Sequence, residues 1–314
     1  MAQRLNAVIL AGGAGSRMRS AKHKVLHELA GKPMVQHVID AARRLDPERI
    51  VVVVGHAADE VRQALQGQEL DFVLQRDQLG TAHAYLQAAP LLEDSGAHSL
   101  VLSGDGALLR GATLERLARD APDRGMALLT ARVPDPHGLG RVIKGEDGLV
   151  SRIVEHKDAG AAELAVNEIV VGTYLFDGRG FGLARELSND NAAGEYYITD
   201  LIAAYRRLDL PVAATDTPLD EYPGVNDRQQ LAAAERLLQD RIRSEWLLSG
   251  VTMQDPESVY IEQSVSLAED VVLEPGVVLR GESRVGRGAH IGAHSVVDGA
   301  VVPAGVVVPP LSRL

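Results

Sequence analysis

The stretch Leu10-Ala11-Gly12-Gly13-Ala14-Gly15-Ser16-Arg17-Met18 comes directly after an apolar run, Asn6–Leu10, that predicts a strand. Glycines let the backbone approach a ligand closely, and successive exposed N–H groups bind phosphate oxygens. Two common phosphate-binding patterns do not fit. The dinucleotide pattern G-x-G-x-x-G would end on Met18, and a P-loop needs Ser or Thr where Pro33 follows Gly31-Lys32. The stretch therefore predicts a phosphate-binding loop of another kind.

The charges around this loop differ from those of the whole chain. The chain has 314 residues and a net charge of -11, which argues against binding to nucleic acid or to an anionic membrane. A basic cluster nevertheless follows the glycines, made of Arg17, Arg19, Lys22, Lys24 and Lys32 and opposed only by Glu28. A solvated charged face is the alternative explanation. Next to a glycine-rich loop we favour a small anionic ligand, and Arg17 and Lys24 could meet a triphosphate.

Strand and helix patterns alternate along the first half of the chain. Predicted strands are Asn6–Leu10, Ile50–Val54, Phe72–Gln75, Ser99–Ser103 and Met126–Val133, and predicted helices are Pro33–Leu45, Ala58–Leu65, Thr81–Ala89 and Leu114–Ala121. Such alternation predicts an α/β, Rossmann-like domain with a mostly parallel sheet covered by helices. Ligands in such sheets bind beyond the carboxyl ends of the strands.

The middle of the chain changes character. Arg141–Lys144 and Leu149–Val154 flank a turn-forming Glu-Asp-Gly sequence and predict a hairpin, followed by a strand at Glu168–Phe176. Helices are predicted over Gly194–Leu208 and Gln229–Leu248.

The last part of the chain is a repeat. Aliphatic residues fall every six positions, at Ile261, Leu267, Leu273, Leu279, Val285, Ile291 and Val297. This period predicts a hexapeptide parallel β-helix in which each strand buries one aliphatic side chain. Pro309 falls in the same phase, and we expect Pro309-Pro310 to end the solenoid because proline cannot donate a ladder hydrogen bond. The predicted domains are residues 1–226, a linking helix over 227–250, and a short β-helix over 251–314.

Composition excludes several classes of site and location. The chain has no cysteine, which rules out disulfides, thiolate catalysis and cysteine-bound zinc. No apolar run is long enough to span a membrane, and Leu5–Ala11 is too short for a signal peptide. We therefore expect a cytoplasmic protein.

Several motifs together resemble the opening of bacterial N-acetylglucosamine-1-phosphate uridylyltransferases. The motifs are Leu10–Met18, Lys24–His27, Gly31–Met34, Gln75–His83, Gly104-Asp105, Gly138–Val142, Ile153–Asp158, Gly194–Asp200 and Gly224–Asn226. They occur in order along nearly the whole chain. In that family the uridylyltransferase is the first half of a bifunctional enzyme whose second half is a left-handed β-helix acetyltransferase. The family's acetyltransferase site lies further along than Leu314, so we expect no acetyl transfer by this chain. The family's β-helices associate as trimers, and the resemblance implies a homotrimer here.

The resemblance also implies roles for individual residues. The backbone around Ala11, Gly12 and Gly13, with Gln75 and Gly80, would hold uracil. Arg17 and Lys24 would neutralise the triphosphate of UTP and carry catalysis. Asp105 would bind Mg²⁺ together with Asn226, since oxygen ligands suit that cation. The sugar 1-phosphate would lie against Thr81, Gly140, Glu155 and Val170. No histidine is needed, because a sugar 1-phosphate oxygen is already an anionic nucleophile.

Departures from the family's pattern leave alternatives open. Val170-Val171-Gly172 replaces an Asn-Thr-Gly triplet that touches the sugar, His23 replaces a proline, and Gly106-Ala107 follows Asp105 where the family usually has a proline. The leading hypothesis is the formation of UDP-N-acetylglucosamine and pyrophosphate. The alternatives are a nucleotidyltransferase for another sugar or nucleotide, favoured by Val170, and a non-catalytic sugar-nucleotide binding protein, which the retained Arg17, Lys24, Asp105 and Asn226 argue against.

Overall fold

The computed structural model describes residues 4–154, 156, 158–191 and 193–314. The chain divides into two compact units. The first contains the residues up to Leu26 together with Met34–Asp227, and the second contains His27–Pro33 with Arg228–Leu314. The sequence placed residues 27–33 in the first domain, whereas the structure groups them with the linking helix and the β-helix.

Strands and short helices make up the chain as far as Asp227. The strands are β1 (Leu5–Ala11), β2 (Glu28–Leu29), β3 (Lys32–Pro33), β4 (Arg49–Val54), β5 (Asp71–Leu74), β6 (His98–Ser103), β7 (Met126–Arg132), β8 (Arg141–Lys144), β9 (Val150–Val154), β10 (Glu168–Phe176) and β11 (Val212–Asp216). The helices are α1 (Met34–Arg43), α2 (Ala58–Ala64), α3 (Thr81–Leu86), α4 (Ala89–Leu92), α5 (Gly111–Asp120), α6 (Ala161–Leu164), α7 (Gly180–Arg185) and α8 (Leu201–Arg207). Within the described ranges, no helix has the length and apolar character needed to cross a membrane.

The first unit is built on a mixed sheet with strand order β11-β7-β10-β6-β1-β4-β5. β10 runs antiparallel to β6 and β7, and the other neighbours along this order pair in parallel. The central strands are apolar on both faces, as β4 shows with Ile50–Val54 buried throughout. Helices cover the two faces, and a separate buried core lies on each. The predicted Rossmann-like sheet is therefore confirmed.

The predicted hairpin is also present. β8 and β9 pair antiparallel, with Gly148 in the left-handed conformation at the turn (φ 75°). The hairpin joins the sheet through β8, where Arg141 pairs with Ile169 of β10.

The predicted helix over Gly194–Leu208 is wrong in its first part. The chain is irregular as far as Tyr197, a 3-10 turn covers Ile198–Asp200, and only α8 is helical. The reason is that the backbone of Tyr196 is already committed: its N–H donates to Leu79 C=O and its C=O accepts from Ala82 N–H. A helix would need the same groups. Pro33 likewise lies in β3, paired with Glu28, and helix α1 begins only at Met34.

The second unit contains helix α9 (Arg228–Leu248) and a parallel β-helix. Its strands are β12 (Thr252–Met253), β13 (Tyr260–Ile261), β14 (Ser266–Leu267), β15 (Val272–Leu273), β16 (Val278–Arg280), β17 (Arg284–Val285), β18 (His290–Ile291), β19 (Val296–Asp298), β20 (Val301–Val302) and β21 (Val307–Val308). They stack into three parallel sheets, β12-β15-β18-β21, β13-β16-β19 and β14-β17-β20. All the residues of the predicted six-residue series, from Ile261 to Val297, are buried.

The phase of the repeat changes after Val297. The first coil takes twenty residues, from Thr252 to Val272. From Tyr260 onward a coil takes eighteen residues, as the pairing of Tyr260 with Val278 and of Val278 with Val296 shows. Arg284 pairs with Val301, one residue sooner. The inward positions therefore fall on Val302 and Val308, which are buried.

The expectation that Pro309-Pro310 ends the solenoid is wrong. Pro309 lies just after the inward position, at a corner, and its C=O accepts from the Ser295 hydroxyl. Strand pairing resumes beyond the prolines, where Val296 N–H donates to Ser312 C=O and Leu314 N–H donates to Val296 C=O.

Helix α9 covers the first coil, and a side chain of the helix makes the two backbone hydrogen bonds that a neighbouring strand would make. Buried Gln239 donates to Ile261 C=O (2.9 Å) and accepts from Ile261 N–H (3.1 Å). The tight β2–β3 hairpin packs beside it, with Ala30 N–H donating to Glu235 (2.9 Å) and Gln263 N–H donating to Ala30 C=O. These bonds explain why residues 27–33 belong to the second unit.

Candidate nucleotide-binding site

A cavity of about 360 Å³ opens at the carboxyl ends of strands β1, β5 and β6. This is the edge at which the parallel sheet predicts a ligand site. The cavity brings together eight of the residues singled out in the sequence: Ala11, Gly12, Gly13, Lys24, Gln75, Gly80, Thr81 and Asp105. Gln78, Ser103 and Glu195 also line it and were not predicted.

The glycine-rich loop forms one wall, and its glycines differ in what they allow. A Cβ on Gly13 would meet no described residue within 4 Å, so the backbone there faces open space among the described parts of the chain. A Cβ on Gly12 would lie 3.2 Å from Gln75 Oε1. Gly15 adopts the left-handed conformation (φ 60°), and a Cβ there would lie 2.5 Å from Lys24 Cβ. Gly15 therefore lets the Lys24 side chain pack directly on the loop.

Lys24 is the centre of the polar network. Its ammonium nitrogen is 2.5 Å from Asp105 Oδ2 and 3.2 Å from Asn226 Oδ1. Arg17 donates to the same Asn226 oxygen at 3.0 Å. The Lys24 and Asp105 side chains are 16% and 12% exposed, so water screens their attraction only weakly. The structure thus joins the predicted Arg17, Lys24, Asp105 and Asn226 in one cluster.

The donor set of this cluster fits a hard divalent cation. The carboxylate of Asp105 and the amide oxygen of Asn226 both contact the Lys24 ammonium. Two oxygens therefore already surround one positive charge at this point. Ser103 donates to the second Asp105 oxygen (2.6 Å) and orients the carboxylate. Mg²⁺ takes oxygen ligands and commonly only one or two from the protein, with substrate phosphates completing the shell. No cluster of three acidic, His or Cys side chains suited to a metal occurs in the described part of the chain.

Gln75 is held by two hydrogen bonds at the far side of the cavity. The side chain is 3% exposed. Its amide nitrogen donates to Gly80 C=O (3.1 Å) and contacts His83 Nδ1 (3.1 Å). The amide oxygen lies beside Gly12. The oxygen is therefore the end of this amide that remains for a ligand.

Gly80 and Thr81 form a tight connection to the segment before α8. Gly80 has φ 110°, and a Cβ there would lie 2.5 Å from Tyr196 O, so only glycine permits this approach. The Thr81 hydroxyl accepts from Ile198 N–H (3.0 Å). The two loops that line the cavity are thereby fixed to each other.

The predicted sugar-contacting residues lie partly outside this cavity. Gly140 precedes β8, and the pairing of Arg141 with Ile169 places it opposite Val170 on β10. Val170 is half-buried, packs against the core on its face of the sheet, and does not line the cavity. A bulge in β10 follows it, with Gly172 in the left-handed conformation (φ 69°), where a Cβ would lie 3.9 Å from Ser103 Cβ. Glu155 lies outside the described residues.

His23, which precedes the loop lysine, is 3% exposed. Its ring lies 6.2 Å from that of His56. Burial lowers the pKa of the imidazole, because the charged form loses its hydration. The neutral ring is the form that this environment favours.

Comparison with known proteins agrees with this arrangement. Residues 7–249 match the family described as the MobA-like NTP transferase domain. The chain is 48% identical over 303 residues to the bifunctional protein GlmU of Thermus thermophilus, covering 96% of this chain and 66% of that protein. It is 43% identical to GlmU of Levilactobacillus brevis, with 96% and 67% covered, and 41% identical to GlmU of Shouchella clausii, with 98% and 72% covered.

These matches define an NTP transferase domain. A glycine-rich loop at the edge of a mostly parallel sheet agrees with that class of domain. The chain belongs to the MobA-like NTP transferase family and, within it, to the GlmU family. It spans about two thirds of the length of the curated relatives that it matches.

Proposed function

We propose that this chain transfers a uridylyl group from UTP to a sugar 1-phosphate, best N-acetylglucosamine 1-phosphate, and releases pyrophosphate. The observation that supports this most directly is the Lys24 ammonium, held between Asp105 and Asn226 beside a glycine-rich loop. Cations next to exposed backbone N–H groups are what a triphosphate requires. A buried amide oxygen at Gln75 supplies an acceptor at the base end of the same cavity.

The reaction poses an electrostatic problem that this site can address. The attacking sugar phosphate oxygen and the triphosphate are both anionic, and charge accumulates at the α-phosphorus. Mg²⁺ held by Asp105 and Asn226 would supply charge neutralisation at the phosphates. Arg17 and Lys24 add positive charge at the glycine loop, and Ser103 fixes the carboxylate. If Asp105 and Asn226 held the metal, the Lys24 ammonium would be released from them and could meet the triphosphate.

The test is a substrate panel read by pyrophosphate release. We expect UTP to outperform ATP and GTP, because the tight turn at Gly80 and Thr81 favours the smaller pyrimidine ring and a purine would leave the Gln75 amide unpaired. Release should require Mg²⁺ and stop with excess chelator. Lys24→Met should abolish turnover, whereas the matched control Lys22→Met should retain it, since the exposed Lys22 does not line the cavity. Equal release from ATP and UTP would contradict the choice of base. The absence of release with any sugar 1-phosphate would favour a non-catalytic binding protein.

Another sugar 1-phosphate is the second candidate substrate. Val170, the residue that replaces an asparagine in the resembled family, offers neither donor nor acceptor to a sugar hydroxyl. The same panel, run with several sugar 1-phosphates, distinguishes this candidate by the ratio of their kcat/KM values.

We further propose that the chain forms a homotrimer through the β-helix. The second unit supports association because Val301 and Val307, on outward positions of β20 and β21, are each 70% exposed. Light scattering should give three times the mass of 33.5 kDa. A monomer mass at working concentration would contradict this proposal.

A further inference from the structure

We propose that His83 is a positioning residue that fixes the orientation of the Gln75 amide and thereby sets the preference of the site for uracil over cytosine. The inference rests on the proposed function, since it concerns the base of the nucleotide. The observations that support it are the contacts of the buried Gln75 amide with the Gly80 carbonyl group and the His83 ring.

The carbonyl group of Gly80 decides which end of the Gln75 amide points where. A carbonyl oxygen can only accept, and it lies 3.1 Å from Gln75 Nε2. The amide nitrogen must therefore face Gly80. The oxygen then lies on the opposite side, beside Gly12 at the cavity wall.

His83 completes this arrangement only in one form. Gln75 Nε2 lies 3.1 Å from His83 Nδ1. An amide nitrogen only donates, so this contact is a hydrogen bond when Nδ1 accepts and the ring hydrogen sits on Nε2. On the other side of the ring, Gln87 Nε2 lies 3.2 Å from His83 Nε2 and also donates to His83 C=O. A neutral imidazole can accept from only one of these amides. The Gln87 nitrogen already has His83 C=O as its acceptor at 2.9 Å, so it does not depend on the ring, and Gln75 retains the ring acceptor.

The consequence for base choice follows from the edges of the two pyrimidines. Uracil presents an N3–H donor, which an amide oxygen accepts. Cytosine presents an unprotonated N3, which would face the same oxygen without a hydrogen. An amide free to turn would present its NH₂ group to cytosine instead. With both hydrogens of Gln75 held by Gly80 and His83, the oxygen stays towards the cavity and cytosine is disfavoured.

Three substitutions at position 83 separate this role from packing. His83→Leu keeps an apolar side chain of similar bulk but removes the acceptor. His83→Asn keeps an acceptor near the position of Nδ1, and His83→Gln keeps polarity nearer to Nε2. Gln87→Leu is the matched control, because it removes the competing amide on the other side of the ring.

The experiment measures UTP and CTP in parallel, by dissociation constants from calorimetry and by kcat/KM for pyrophosphate release. We expect His83→Leu to lower the UTP-to-CTP preference about fivefold to tenfold, the equivalent of one hydrogen bond. His83→Asn should restore the preference to within about twofold of the wild type, because a twofold difference corresponds to much less free energy than one hydrogen bond. His83→Gln should not restore it, and Gln87→Leu should leave it unchanged.

The readouts distinguish failure of this inference from failure of the proposed function. An unchanged ratio of UTP and CTP dissociation constants in His83→Leu overturns the role of His83, whether or not the chain turns over. So does a ratio that falls equally in the Asn and Leu variants. Wild-type protein that releases no pyrophosphate contradicts the proposed function, while the binding ratio still tests His83.

Discussion

Substitution of Gly15 by alanine should damage both the stability of the first unit and the position of Lys24. Gly15 has φ 60°, and an added Cβ would lie 2.5 Å from Lys24 Cβ. A left-handed conformation costs an alanine about 1–2 kcal/mol. Crowding against Lys24 adds about 1–3 kcal/mol, because Cβ is close to the backbone and cannot swing away. The expected loss of unfolding free energy is therefore about 2–5 kcal/mol.

Gly67→Ala is the matched control for this variant. Gly67 also has a left-handed backbone (φ 82°), but a Cβ there would meet none of the residues that the structure describes within 4 Å. Its expected loss is only the conformational cost of about 1–2 kcal/mol. The difference between the two variants, measured by urea unfolding with circular dichroism, gives the cost of the contact with Lys24.

Turnover provides the second measurement. Lys24 must shift to relieve the contact, and a displacement of about 1 Å at a reacting site costs about a hundredfold in rate. Pyrophosphate release should therefore fall steeply in Gly15→Ala and stay near the wild-type rate in Gly67→Ala. Equal stability losses in the two variants, together with near-native turnover in Gly15→Ala, would refute the assigned packing of Lys24 on the loop.

Three further predictions follow from single side chains. Asp105→Asn should lower turnover by orders of magnitude and raise the Mg²⁺ concentration needed, because a charged ligand is lost; near-native turnover at low Mg²⁺ would show that the metal is held elsewhere. Val170→Asn should lower the KM for N-acetylglucosamine 1-phosphate about tenfold or more and leave that for UTP nearly unchanged, since an unmet polar group costs about 1–3 kcal/mol; no change in either KM would place Val170 away from the sugar. His23→Leu should reduce the loss of stability on acidification. Burial lowers the pKa of His23 in the folded state. The contribution of the neutral ring to folding stability is therefore present above the unfolded-state pKa near 6.5 and is lost as the pH falls below it. Urea midpoints that fall as steeply from pH 8 to pH 5 in the variant as in the wild type would contradict this.

Much of the fold could be predicted because its signals are periodic. Apolar runs such as Ile50–Val54 indicate strands buried on both faces, and the six-residue series from Ile261 to Val297 indicates the β-helix. The location of the cavity followed from the sheet alone, since parallel strands end at one edge. Gly12 follows β1 and Asp105 follows β6, and both line that cavity.

Other features depend on contacts between distant segments, which no local pattern reports. The sequence of Gly194–Leu208 has helical character, but the Tyr196 N–H donates to Leu79 C=O and the Tyr196 C=O accepts from Ala82 N–H instead. The role of His83 could not be predicted, because nothing near it in sequence shows the contact with Gln75. Position-specific roles of this kind arise from tertiary hydrogen bonds, which override local propensity.

The shortened last coil has a practical consequence for alignment and engineering. A template with a fixed hexad would assign the interior to Pro303 and Pro309, whereas the interior is filled by Val302 and Val308. Anyone who grafts additional coils onto this chain should count one residue fewer at the corner between Val297 and Val302. Ignoring that difference would rotate every later side chain from inside to outside, and a designed extension would present its aliphatic residues to water.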